Sequence, residues 1–126
     1  MTKAKTLIAV LSATVMAATI ATQPANAADY GPGASDTEIL IGNTIPYSGP
    51  LSAYGTIGKV IQAYFEKIND EGGVNGRKIK FSSLDDGYVP TNTLSQTRKL
   101  VERDKVFMMI SVLGTPPNMA VREYLN

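Results

Sequence analysis

Cysteine, histidine and tryptophan are all absent from this 126-residue chain. Without cysteine there is no disulfide framework, no iron–sulfur cluster and no thiolate nucleophile. Without histidine there is no imidazole base for a Ser/His/Asp arrangement, and the usual zinc and haem ligand sets fail. An excess of one charge is missing too: 12 Lys+Arg stand against 11 Asp+Glu, and no basic block forms that would follow a nucleic-acid backbone. What is present, 44% hydrophobic residues with 18% charged, is the composition of a folded domain, and the length allows one.

A membrane-spanning run is also lacking. The longest charge-free apolar stretch, Leu7–Ala21, falls short of the ~20 residues a spanning helix needs. It follows Lys3 and Lys5, is broken at Thr22-Gln23-Pro24, and ends in Ala25-Asn26-Ala27. A basic start, an apolar core and small residues before a cut are the parts of a secretory signal, with cleavage expected after Ala27. A buried N-terminal helix would not need that ending. No cysteine follows, so this is not a lipoprotein signal. Cutting 27 residues from 126 leaves 99, and losing Lys3 and Lys5 takes the net charge from +1 to −1. The expected organisation is an export signal over 1–27, a mobile Gly/Pro-bearing lead-in over 28–37, and one domain over 38–126.

That domain reads as alternating strand and helix. Glu38–Ile45 is a strand, stopped by Pro46 and Pro50. A helix follows from about Ala53 to Asp70, with Ile57, Val60, Ile61, Tyr64, Phe65 and Ile68 on one face at steps of three and four. Gly72-Gly73 ends it, Asn75-Gly76 marks a turn, and Lys78–Leu84 alternates as a second strand. Pro90–Arg103 is a second helix, with Leu94, Thr97, Leu100 and Val101 inward. Val106–Val112 is a continuous apolar run, expected as a strand buried on both faces. A third helix is expected from near Pro117. This order predicts an α/β fold: a parallel sheet with right-handed crossovers and helices on both faces. Ligand sites in such sheets lie beyond the carboxyl ends of the strands. Pro46–Gly55, Asp85–Val89 and Leu113–Pro117 occupy that edge.

Several chemistries fail there. No G-x-G-x-x-G follows a strand, and no P-loop exists. Asp85-Asp86 has the form of a Mg²⁺ or phospho-acceptor pair, but side chains that hold a turn and cap the next helix account for it better. Tyr64 and Phe65 are expected in the core; Glu66, Asp70 and Glu71 are expected on a solvated surface. No catalytic set, metal site or cofactor motif remains, which speaks against an enzyme. Binding remains. Gly114-Thr115 precedes a helix N-terminus, where free N–H groups and the positive dipole end favour a carboxylate and Thr115 adds a hydroxyl. Thr115 serves equally as an N-cap. Tyr54 and Tyr47 could each present an amphipathic ring, with surface or packing the better reading for Tyr47 and the site for Tyr54.

An ordered series carries a resemblance. Ile41-Gly42-Asn43-Thr44-Ile45-Pro46-Tyr47-Ser48-Gly49-Pro50, Tyr54-Gly55, and Ile68-Asn69-Asp70-Glu71-Gly72-Gly73-Val74-Asn75-Gly76-Arg77-Lys78-Ile79 come first. Asp85-Asp86, Gln96-Thr97-Arg98-Lys99-Leu100-Val101 and Leu113-Gly114-Thr115-Pro116 continue it. The series resembles the start of periplasmic substrate-binding proteins of the Leu/Ile/Val-binding type, which serve branched-chain amino acid ABC transporters. The resemblance implies a two-lobed type I periplasmic-binding fold that closes on its ligand, of which 38–126 is an incomplete N-terminal lobe. It implies a monomeric periplasmic protein, without cofactor or metal, whose partners are a small-molecule solute and the membrane permease subunits. A ligand-sensing receptor or regulator on the same scaffold is the alternative. Carried over by position, the ligand-binding residues are Tyr54, Gly114 and Thr115, with Tyr47, Ser48 and Pro116 beside them. Pro116-Pro117-Asn118 stands where amino-acid binders tend to be rich in Ser and Thr, removing hydroxyls and an N–H. The expected ligand is therefore a small amino acid, an aromatic carboxylate or an amide.

Overall fold

The computed structural model describes residues 30–126. The expected export signal, 1–27, lies outside the described residues. Three parallel strands run β1 (Glu38–Ile45), β2 (Lys78–Asp85) and β3 (Met108–Met109), in the spatial order β2-β1-β3. Between and after them come α1 (Gly55–Asp70), α2 (Pro90–Arg98) and α3 (Thr115–Leu125). The chain steps from β1 to β2 in one direction and from β2 past β1 to β3 in the other. Right-handed crossovers then place α1 on one face and α2 on the opposite one. α1 packs on β1 and β2, whereas α2 packs on β1 and α3.

β1 is the central strand because, among the described residues, it alone has neighbours on both sides, and its burial deepens along its length until Ile45 is fully enclosed. Its pairing with β2 holds over the whole strand, Glu38 opposite Lys78 through Ile45 opposite Asp85. This register brings the two strands to an end side by side. On the α1 face, Phe65 meets Phe81 edge-on at 5.4 Å between ring centroids. On the other face Leu100, Val121 and the threonines Thr93 and Thr97 are buried.

Most element boundaries fall where the pattern predicts them, and the differences have physical causes. α1 is preceded by a single 3-10 turn, Ser52–Tyr54, so the α-helical part begins at Gly55. The second helix reaches Arg103 as expected, but Lys99–Arg103 widens into a π turn in which the Asp104 N–H reaches the Lys99 carbonyl at 2.9 Å. The third begins at Thr115, two residues before the expected Pro117.

Two expectations are corrected. The apolar run Val106–Val112 contributes a ladder of only two residues, and it is not buried on both faces: Phe107 is 54% and Met108 46% exposed. β3 has β1 on one side and no second neighbour among the described residues, and Ser111 turns the chain away at a φ of 50°. The Asn43 amide takes over from the ladder there, donating to the carbonyls of Ile110 at 3.0 Å and Ser111 at 2.9 Å. Tyr64, expected in the core, is 60% exposed. Ile61, Phe65 and Ile68 are half-buried, while Ile57, Val60 and Tyr64 of the same stripe are exposed; among the described residues β2 is the edge strand on that side.

The lead-in, read from composition as mobile, is tied to the domain from Tyr30 onward. The Tyr30 ring lies under the Arg77 guanidinium, 4.6 Å from its centroid, and the Tyr30 hydroxyl donates to Asp36 at 2.9 Å. Ser35 accepts the Glu38 N–H at 3.0 Å, which turns the chain into β1.

Candidate functional site

The loop after β1 leads to α1 and the loop after β3 to α3, which packs with α2 on the opposite face, so these two loops diverge. A crevice opens between them at the carboxyl edge, the position where open α/β sheets hold ligands. A cavity of about 240 Å³ lies there, lined by Leu51 and Tyr54 from the β1 loop, Leu113 and Gly114 from the β3 loop, and Tyr88 from the β2 loop.

The neighbouring junction, between the loops after β1 and β2, is closed by hydrogen bonds. One oxygen of Asp85 accepts the N–H groups of Tyr47 at 2.8 Å, Gly87 at 2.9 Å and Ser48 at 3.2 Å. The register makes this possible, since Asp85 pairs with Ile45 and stands beside the first residues of the β1 loop. The Ser48 hydroxyl beside it foremost, with those backbone amides, holds the Asp85 carboxyl below its ordinary value of 3.8 against the opposing effect of desolvation. Asp86 points the other way and is 1% exposed. It accepts the Tyr88 N–H at 2.9 Å and the Thr93 hydroxyl at 2.9 Å, fastening the β2 loop to the body of α2. Both carboxyls hold turns, as expected. Neither caps α2: its N-cap is Val89, without a side-chain bond, and Pro90 occupies the first turn.

The expected binding residues separate into two groups. Tyr54 and Gly114 line the cavity. Thr115 follows Gly114 as the exposed first residue of α3; the N-cap is Gly114 and no side chain caps the helix, so the capping role weighed for Thr115 is absent. Pro116 is exposed in the same turn and does not line the cavity. Ser48 is turned to Asp85. Tyr47 lies inside the domain: its hydroxyl is 2.6 Å from that of Ser83, which donates to Asn43 at 2.7 Å. Its ring fits only because position 58 is glycine, where a Cβ would overlap the Tyr47 hydroxyl.

Leu51, Leu113 and Tyr88 line the cavity without having been singled out. All three fall in the strand-end segments, and for Tyr88 an aromatic residue in a tight Asp-Asp-Gly turn was the available signal. Its conformation was not readable: Tyr88 has a φ of 63°. Gly114 adopts φ 85° and ψ 156°, a region open to glycine, and a Cβ there would run into the Tyr88 ring and hydroxyl. The two residues thus meet across the sheet edge.

Similar proteins carry the same architecture. A fatty acid ABC transporter substrate-binding protein from Thermomonospora curvata superposes with a TM-score of 0.67 at 31% identity, over 75% of this chain and 24% of its own. A branched-chain amino acid transporter substrate-binding protein from Streptococcus pneumoniae, solved with isoleucine, gives 0.63 at 30%, over 67% and 24%. A Leu/Ile/Val-binding protein homolog from Brucella abortus (strain 2308) is 37% identical over 68 residues, 53% of this chain and 18% of that protein. The chain thus spans about a quarter or less of the length of these relatives. Residues 38–126, from the first residue of β1 to the last of the chain, match the family described as periplasmic binding protein, and the chain belongs to that family.

Proposed function

We propose that this chain forms part of a non-catalytic solute-binding protein that captures a small organic molecule in the periplasm and delivers it to the permease of an ABC transporter. The cavity at the β1/β3 crevice carries the reading: it sits at the ligand position of the fold and is lined by apolar and aromatic groups around a glycine at a helix start. Tyr54 supplies a wall that is 50% exposed in this structure and ready to be covered by a solute. Gly114 and Thr115 supply backbone and hydroxyl at the start of α3. The ligand class is a small amino acid, an aromatic carboxylate or an amide. Transport is favoured over sensing by the relatives whose names join them to transporters, one of them of the ABC type.

A micromolar dissociation constant corresponds to about −8.2 kcal/mol, more than an open cavity with one or two hydrogen bonds supplies. Residues 28–126 expressed alone are therefore expected to bind no solute at micromolar strength. The product of the complete reading frame is the form to test, by a thermal-shift screen followed by calorimetry. A stabilising solute should lose roughly tenfold or more in affinity in Tyr54→Ala, a cost in keeping with losing one buried aromatic contact. Unchanged affinity in that variant would remove the cavity as the site.

A further inference from the structure

Tyr88 is held at the cavity by three arrangements at once. Its backbone sits in the left-handed region at φ 63°, uncommon for a bulky residue. The buried carboxyl of Asp86 fixes that turn through the Tyr88 N–H and is itself fastened by Thr93. Across the edge, Gly114 leaves out the side chain that would displace the ring. Strained residues that the surroundings over-determine gather at ligand sites. The Tyr88 hydroxyl makes no hydrogen bond with the described residues.

The same corner is poor in what an α-amino acid requires. Among the described residues no charged side chain lines the cavity. The Asp85 carboxylate already accepts three backbone amides, and Asp86 is buried in its own bonds. In the first turn of α3, Pro116 and Pro117 carry no N–H, so Thr115 alone of those three can donate to an anion.

We propose that the cavity selects an aromatic solute with a single polar substituent, such as a benzoate or benzamide, over an α-amino acid. Tyr88 supplies the selecting ring and a hydroxyl that bonds the substituent, and Tyr54 supplies the second aromatic wall. The inference rests on the cavity being the solute site.

The test is calorimetric titration of the complete reading-frame product with benzamide, benzoate and leucine, in wild type, Tyr88→Gly and Tyr88→Phe. A ring probe should bind at least roughly tenfold more tightly than leucine. Tyr88→Gly should lose roughly tenfold or more toward that probe while its melting temperature holds or rises, because glycine relieves the positive φ. Tyr88→Phe keeps the ring and should fall between the two, which preserves the test should the glycine variant unfold. Tighter binding of leucine, or ring-probe affinity unchanged in both variants, overturns the selection while leaving solute capture intact. Absence of binding by all three probes, together with a blank thermal-shift screen of amino acids, aromatic acids, amides and fatty acids, overturns solute capture itself.

Discussion

The two junctions at the carboxyl edge of this sheet are built from the same kinds of loop and end differently. Between β1 and β2, backbone amides converge on Asp85 and the gap is filled. Between β1 and β3, the loops part and leave a cavity of about 240 Å³ walled by leucine, tyrosine and glycine. The first pair of strands shares its full length and ends in register; the second shares a ladder of only two residues. Polar groups that satisfy one another make a joint. Apolar groups without a covering partner make a place to bind. Tyr88 lies next to both, its amide held by Asp86, the neighbour of the joint's Asp85, and its ring in the cavity.

The comparison can be broken most severely at Asp86. Asp86→Ala removes a buried carboxyl that accepts two hydrogen bonds. It should cost about 3 kcal/mol in urea unfolding and release Tyr88 from the cavity. Gly114→Ala attacks the open side: strain at a positive φ should cost about 2 kcal/mol, and the methyl should expel the Tyr88 ring, lowering solute affinity along with stability. At Asp85 the expected effect is smaller and depends on pH. Its folded-state pKa is lowered, so the unfolded state binds the proton more tightly. The stabilisation is fully present above the ordinary value of 3.8 and is lost as pH falls through the depressed folded value. Thermal unfolding at a series of acidic pH values should show this loss in wild type, and Asp85→Asn should remove that part of the dependence. Thr97→Val serves as a control away from both junctions. Its hydroxyl is buried without a partner among the described residues, so the variant should gain roughly 0.5–1 kcal/mol and leave solute affinity unchanged.

Much of the fold was readable because its signals are local. The branched run before Pro46 defines β1, Gly72-Gly73 closes α1, and the alternation of Lys78–Leu84 finds β2 to within one residue. Where reading failed, the deciding neighbour was distant in sequence. The apolar stripe of α1 does not say how far the sheet beneath it extends, so Tyr64 was assigned to a core that stops short of it. The run Val106–Val112 reads as a fully buried strand, but among the described residues it has a strand beside it on one edge only, and Phe107 and Met108 stay exposed. At the cavity, the places of Tyr54 and Gly114 followed from position in the loops, whereas that of Tyr88 depends on an approach between residues 26 apart in the chain.

Composition and order alone determined that these residues form a parallel α/β sheet, pointed to its strand ends as the place to look for a ligand, and fixed that these residues bring no histidine or cysteine to it. Those properties rest on periodicity, on punctuation by glycine and proline, and on which side chains exist. The positions of the three loop tyrosines were decided only in three dimensions. Tyr47 went inward because Ser83 offers a hydrogen bond and Gly58 leaves space for the ring. Tyr54 stayed at the surface of the cavity, and Tyr88 was drawn to it by Asp86 and admitted by Gly114. An aromatic ring with a hydroxyl suits a core and a binding site equally well, and the choice falls to whichever neighbours the strand register brings within reach.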